Sequence, residues 1–201
     1  KVISERSKCI MKVLVLLSLV VVTSCLPSEV LSKDLVKNLV ERNGIKYSVN
    51  SRTPFTGEGA RYNENGQLDE KGNFKDGKRE GVFVKFDRFG QLEEKLTYKD
   101  GKLDGLYEFY YENGQLLSKE NYKDGEKNGL YEVYYADGQL MAKVNYKDAK
   151  LDGLYEWFHV NGQLKATGNY KDGKLDGLYE SYDKNGQLEA KVKLEDAPPD
   201  L

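Results

Sequence analysis

Few residues in this 201-residue chain have the types or the spacing for chemistry. His159 is the single histidine, so no histidine cluster can hold a metal, and no Ser or Cys stands in sequence as its partner. It reads as a solvent-facing strand residue. Asp100, Asp124 and Asp172 each precede a glycine, which brings calcium loops to mind, but the dense alternation of carboxylates that such loops need is missing. Turn chemistry explains them better. The chain has 20 glycines, yet Gly66, Gly114 and their counterparts open no helix, so a phosphate-cradling loop is excluded. The two cysteines, Cys9 and Cys25, lie far from most of the chain and make no disulfide framework or thiolate metal site. The expectation is a protein that is not an enzyme and carries no cofactor and no metal. Any function must come from binding.

The element that would position a binding surface is a repeat. Asn113-Gly114-Gln115-Leu116 recurs as Asn65-Gly66-Gln67-Leu68, Phe89-Gly90-Gln91-Leu92, Asp137-Gly138-Gln139-Leu140, Asn161-Gly162-Gln163-Leu164 and Asn185-Gly186-Gln187-Leu188, always 24 residues apart. A fixed period of this length signals a repeat architecture. Within one unit, Gly105 to Tyr111 and Leu116 to Tyr122 are rich in Tyr, Phe and Leu, which suit strands. Asn-Gly and Asp-Gly turns alternate between them. The predicted fold is all-β: six 24-residue β-hairpins joined into one elongated, twisted antiparallel sheet of about twelve strands, each unit advancing roughly 9.6 Å.

A two-residue loop at Asn113-Gly114 would set Tyr111 against Leu116, Phe109 against Ser118 and Glu108 against Lys119. One face then carries Tyr107, Phe109, Tyr111, Leu116 and Tyr122. The other carries Leu106, Glu108, Tyr110, Leu117, Lys119 and Asn121. Exposed charge pairs are expected within hairpins at Glu108–Lys119, Glu132–Lys143 and Glu180–Lys191, contributing only a few tenths of a kcal/mol each. Two departures stand out. Ala149 replaces the turn glycine found at Gly77, Gly101, Gly125 and Gly173. Phe89 replaces Asn, which suggests a type II turn with Gly90 alone left-handed.

Composition agrees with a half-wet sheet. There are 15 Tyr against 7 Phe and one Trp, charged residues make up 32%, and the apolar set only 39%. A net charge of −2 with no basic block argues against nucleic acid and against electrostatic attraction to acidic lipid.

The N-terminal stretch has its own logic. Met11-Lys12 leads into an apolar run from Val13 to Val22, too short to span a bilayer and suited to a secretory signal. Val22-Thr23-Ser24-Cys25 resembles the lipobox of bacterial lipoproteins, in which the cysteine sulfur is acylated and the chain is cut just before it. Residues 1–24 are therefore expected to be a signal peptide, with 1–10 an upstream extension and Met11 the start. Residues 25–38 read as a spacer behind a lipidated Cys25, although Ser32 to Val40 also suits a short helix. The repeat domain is placed at 39–194, opening with a hairpin turned at Asn43-Gly44, and 195–201 is expected to be a disordered tail. The expected location is the bacterial cell envelope, on the inner or the outer membrane, or else secretion.

Gly101-Lys102-Leu103-Asp104-Gly105-Leu106-Tyr107-Glu108, with near copies at 125–132 and 173–180, resembles the MORN (membrane occupation and recognition nexus) repeat. The Tyr-x-x-Gly-Gln-Leu pattern is similar to its bacterial variant. Asn43-Gly44-Ile45-Lys46-Tyr47 followed by Thr53-Pro54-Phe55-Thr56-Gly57 resembles the YwqK-family antitoxin components of toxin–antitoxin systems. The resemblance spans about 43 to 194. It implies an antiparallel repeat sheet without catalysis, a protein partner such as a toxin, and association with membranes.

Two positions separated by one residue change along the repeats. The first reads Arg61, Lys85, Phe109, Val133, Trp157, Ser181, and the second reads Asn63, Asp87, Tyr111, Tyr135, His159, Asp183. Outer repeats are polar here and the middle three are apolar or aromatic. Residues at i and i+2 of a strand share a face. The candidate protein-binding residues are therefore Phe109, Tyr111, Val133, Tyr135, Trp157 and His159. Polar caps around a better-packed middle would give the same pattern. The expected function is a lipid-anchored repeat protein that binds another protein. A structural envelope scaffold and a sheet that associates with membrane surfaces are the alternatives, and neither nucleic acid nor a small-molecule substrate is expected.

Overall fold

The computed structural model describes residues 39–194. The chain divides into two units, Lys1–Ser32 and Lys33–Leu201, of which the first lies wholly outside the described residues. So do the expected signal peptide, Cys25, the expected spacer and the expected tail. Two short strands come first, β1 (Leu39–Arg42) and β2 (Ile45–Ser48). Twelve follow in six hairpins: β3 (Gly57–Tyr62) and β4 (Leu68–Lys75); β5 (Lys78–Phe86) and β6 (Leu92–Lys99); β7 (Lys102–Tyr110) and β8 (Leu116–Lys123). Next come β9 (Glu126–Tyr134) and β10 (Leu140–Lys147); β11 (Lys150–Phe158) and β12 (Leu164–Lys171); β13 (Lys174–Tyr182) and β14 (Leu188–Leu194). β3 to β14 form one open antiparallel sheet in unbroken sequence order, as the repeat demands, while β1 and β2 pair separately.

The two kinds of turn are built differently. At Asp100-Gly101 both residues have positive φ, 50° and 84°, and Lys99 pairs with Lys102. That is the two-residue hairpin turn expected of Asp-Gly. At Asn113-Gly114 only the glycine is left-handed, at 80°. The Gly114 N–H donates to the Tyr111 carbonyl and the Tyr111 N–H to the Gln115 carbonyl, both at 2.8 Å. The loop is thus three residues long and ends in a bulge at glycine. This corrects the expected register at the tip: Tyr110, not Tyr111, faces Leu116, while Phe109–Ser118 and Glu108–Lys119 remain opposed. The physical reason is that a third loop residue absorbs the positive φ at glycine alone. Phe89 is accommodated in the same way. Gly90 is left-handed at 81° and Phe89 is not, but Gly90 closes the turn from its fourth position by donating to Asp87, so the turn is not type II.

Between hairpins the register slips by two residues, as from Leu96↔Tyr107 to Tyr98↔Leu103. The slip leaves Thr97 without a partner on β7, although it pairs with Val82 on β5, and Gly105 crosses over it, where an added Cβ would stand 3.0 Å from the Thr97 methyl. Consecutive repeats are also joined at the Asp-Gly edge. The N–H groups of Gly101, Gly125, Ala149 and Gly173 donate to the carbonyls of Arg79, Leu103, Lys127 and Leu151, at 2.7–3.0 Å.

Packing concentrates on one face. Rings meet there across strands: Phe74 with Phe83 at 5.2 Å, Tyr107 with Tyr122 at 6.1 Å, Tyr131 with Tyr146 at 6.2 Å and Tyr155 with Tyr170 at 5.9 Å between centroids. Such pairs add about 0.5–1.5 kcal/mol each beyond the area they bury. Phe83, Leu96, Val144 and Ala166 are buried on this ring face. Gly72 leaves the room Phe83 occupies, since a Cβ there would run into the Phe83 ring.

Ala149 has φ 63°, a conformation that L side chains adopt at a cost. Ala149→Gly is expected to stabilise the sheet by about 1 kcal/mol. A thermal melt in which the variant gains nothing over the parent would refute this.

Candidate binding face

The expected i and i+2 rows meet different fates. Phe109 and Trp157 lie within β7 and β11, and Val133 within β9. Pairing strings them into one row across the whole sheet. In order it reads Arg61, Glu70, Lys85, Glu94, then Phe109, Ser118, Val133, Ala142, Trp157, Ala166, Ser181, Ala190, each opposed to the next. The first third alternates in charge. The Lys85 ammonium lies 2.9 Å from Glu94, and Glu70, only 6% exposed, lies 2.7 Å from Arg79. From Phe109 to Ala166 large and small residues alternate, and the small Ser181 and Ala190 end the row. Trp157 stands between Ala142 and Ala166, with the Lys165 ammonium 3.7 Å from its ring centroid, a cation–π contact. The Trp157 Nε1 donor is buried and meets no acceptor in the described residues.

Tyr111, Tyr135 and His159 fall just beyond their strands and do something the sequence reading did not anticipate. The Tyr111 hydroxyl donates to the Tyr134 carbonyl and the Tyr135 hydroxyl to the Phe158 carbonyl, both at 2.8 Å. His159 Nε2 lies 2.9 Å from the Tyr182 carbonyl, which requires the proton on Nε2. His159 is therefore a part-buried tie to the next repeat and not a solvent-facing strand residue. Each aromatic ring reaches over 23 residues to the following hairpin. In the outer repeats Asn63, Asp87 and Asp183 are too short to do so. Their Oδ1 atoms accept two N–H groups of their own loop instead, as Asp183 does from Asn185 and Gln187 at 2.8 Å. These N–H groups, Gln187 foremost, hold the Asp183 carboxyl below its ordinary range. Phe109 and Tyr111 also line a shared groove of about 350 Å³ beside Leu92 and Leu117.

The opposite face holds the lysine–glutamate ladder. Lys119 lies between Glu108 and Glu132, and its ammonium goes to Glu132 at 2.6 Å, in the next repeat. Lys95–Glu108 at 3.1 Å and Lys143–Glu156 at 2.6 Å follow the same rule. The expected pairs within hairpins are thus corrected for Glu108–Lys119 and Glu132–Lys143, while Glu180–Lys191 forms at 2.8 Å, with no later hairpin in the sheet to compete. Nor are the glutamates freely exposed, their side chains being 14–21% accessible in these pairs. The hydrogen bonds that the Lys95 and Lys119 ammonium groups donate to Glu108 and Glu132 raise their pKa values. The same face shows an exposed row, Val82, Leu106, Leu154 and Leu178. Its sequence signal is Gly-Leu-Tyr or Gly-Val-Phe every 24 residues. Among the described residues no three His, Cys, Asp or Glu side chains gather into a metal site.

An open meander of six similar hairpins with a mixed polar and aromatic face is a repeat architecture that presents an extended surface. Comparison with known proteins agrees. The MORN repeat variant matches at 55–76, 79–100, 103–124, 127–148, 151–172 and 175–196, about two thirds of the chain. The chain belongs to this family. No curated protein matches it. Among solved structures, a point mutant of S. aureus TarM in complex with Fondaparinux, alpha-GlcNAc-glycerol and UDP aligns at 14% identity and TM-score 0.34, over 48% of this chain and 19% of that one. A second TarM structure gives 15% and 0.34 over the same shares. The GtfA/B complex bound to UDP and GlcNAc gives 16% and 0.27 over 56% and 22%. The chain spans about a fifth of the length of these proteins, and the similarity is too low to carry an argument.

Tyr135→Phe removes one tie between repeats and is expected to cost about 0.5–1.5 kcal/mol. A urea titration showing no loss would assign the hydroxyl no structural part. A second expectation concerns alkali. Burial, then the nearby Glu94 charge, raises the Tyr107 pKa, and burial followed by the hydrogen bond to Glu120 raises that of Tyr122. Burial likewise raises Tyr131 and Tyr155. The unfolded chain releases these protons near the ordinary value of 10.0, while the folded sheet keeps them. Stability is therefore full below pH 10 and falls as the pH rises above it. Urea midpoints measured upward from neutral pH should stay flat and then drop, and the drop should shrink in Tyr107→Phe/Tyr122→Phe.

Proposed function

We propose that this chain is a non-catalytic binding module that holds a protein partner on the ring face, centred on Phe109, Val133 and Trp157. The change of the cross-strand row from alternating charge to alternating large and small apolar groups carries this reading. The small Ser118 and Ala142 stand between the large Phe109, Val133 and Trp157, a surface into which side chains of a partner would interdigitate. Trp157 is the natural anchor, because Trp is enriched among residues that dominate binding. A partner that displaces Lys165 and brings an acceptor would also satisfy Nε1. Tyr111, Tyr135 and His159 support the face by holding the repeats together and offer their ring surfaces at its margin. Acylation of Cys25 would fix the module to a bacterial envelope membrane, since two or more acyl chains make a durable anchor. A toxin is the partner that the resemblance to YwqK-family antitoxins implies.

The test is capture from the native source by the full chain, alongside thermal melting, for the parent, Trp157→Ala and Cys25→Ser. Trp157→Ala should lose a defined partner by at least about tenfold, a loss on the order of 1.4 kcal/mol or more. Its melting temperature should change little. Cys25→Ser should keep the partner but leave the membrane fraction. Lost stability with unchanged capture would defeat the binding reading.

A further inference from the structure

Among the described residues β14 is the outermost strand of the sheet, with β13 as its neighbour on one side. Its other side is an edge of backbone N–H and C=O groups onto which a further strand can pair. Side chains at that edge are less covered than their counterparts inside the sheet. β14 carries the triplet Ala190-Lys191-Val192, and β10, two repeats earlier, carries the same triplet as Ala142-Lys143-Val144. In β10 the triplet is flanked on both sides. Val144 lies between Tyr131 of β9 and Tyr155 of β11 and is only 7% exposed. Among the described residues Val192 opposes Tyr179 of β13 alone, and it is 45% exposed. The lysines differ in the same way. Lys143 stands between Glu132 and Glu156 and sends its ammonium forward to Glu156 of β11, at 2.6 Å. Lys191 turns back to Glu180 of its own hairpin, at 2.8 Å, and its side chain is 56% accessible.

The fold itself supplies the complement of this edge. In β11, Tyr155 opposes Val144, Glu156 opposes Lys143 and Trp157 opposes Ala142. A segment running antiparallel to β14, with an acidic residue between two aromatic ones, would set one ring on Val192, a carboxylate on Lys191 and the second ring on Ala190. A second copy of β14 suits the edge poorly. Lys191 and Lys193 share the outer face, opposite Glu180 and Leu178. Antiparallel pairing of two copies about Lys191 or Val192 would set lysine against lysine, which is unfavourable.

We propose that the outer edge of β14 is a strand-addition site for a protein partner that offers an extended segment of the pattern aromatic, acidic, aromatic. Main-chain pairing supplies the affinity, and Ala190, Lys191 and Val192 supply the selectivity. The added strand continues the cross-strand row beyond Ala190 and covers Val192 as β11 covers Val144. This site is separate from docking onto Trp157, and either can fail without the other.

Hydrogen–deuterium exchange on the full-length chain tests it, with a free peptide of the sequence of residues 150–158 as the probe. Excess peptide should slow exchange at those amides of residues 188–193 that do not donate to β13, and leave β9 to β12 unchanged. The peptide variant Glu156→Lys should bind the parent at least about fivefold more weakly, since an opposed pair of unlike charges becomes one of like charges. Lys191→Glu in the protein should restore binding of that variant peptide. No slowing at 188–193 in a large excess of peptide would mean that the lysines merely blunt the edge, and overturns the proposal. A variant peptide that binds the parent and Lys191→Glu equally overturns it as well. Slow exchange at the outward amides of the parent without peptide would show the edge already occupied, by the chain itself if independent of protein concentration and by a second copy if it grows with concentration, and overturns it equally.

Discussion

A single layer of β-sheet has no second layer to press against, so every strand pair here depends on the next for its burial. The ring face shows this most directly. Tyr107 is shielded by Tyr122 in its own hairpin and hydrogen-bonds Glu94 in the hairpin before. Glu120 accepts from Tyr122 and pairs with Lys127 of the hairpin after. No repeat could satisfy these groups alone, which is why such architectures gain stability from neighbours and not from individual units.

Three sets of ties serve that dependence, at three places across each strand. Backbone N–H groups join repeats at the Asp-Gly edge. Lysine–glutamate pairs join them on the outer face. Tyr111, Tyr135 and His159 join them near the Asn-Gly loops. The last set is confined to the repeats whose cross-strand row is apolar. Where a surface gives up its charge pairs, the aromatic ties hold neighbouring hairpins in place by other means.

Much of the fold was legible because the hairpin signals repeat six times. Asn113-Gly114 and Asp124-Gly125 look alike as dipeptides, however, and close loops of different length. The distinction lies in which residue takes positive φ: Asp124 does, at 51°, and Asn113 does not. Side-chain hydrogen bonds favour the longer loop, since Asn113 Oδ1 accepts from Gln115 within it. The candidate site was legible only in part. Phe109, Val133 and Trp157 do form a row. That Tyr111 and His159 spend their polar atoms on carbonyls 23 residues away could not be read from the residues, because nothing in the sequence states how far a ring at a loop edge reaches into the next hairpin.

The 24-residue period, the turn dipeptides and the alternation of Tyr with charge were enough to dictate an antiparallel meander, because local conformational preference and period-two burial act within a few residues. Which glutamate each lysine chooses was another matter. Lys119 faces Glu108 and Glu132 alike, and side-by-side placement of the strands sends it to the later one. The cleft beneath β1 and β2 belongs with these non-local outcomes. It is bordered by Leu39 and Lys46 of the first hairpin and by Gly59, Arg61 and Glu70 of the sheet, and that depends on chain segments meeting in space and not on any stretch of residues read alone.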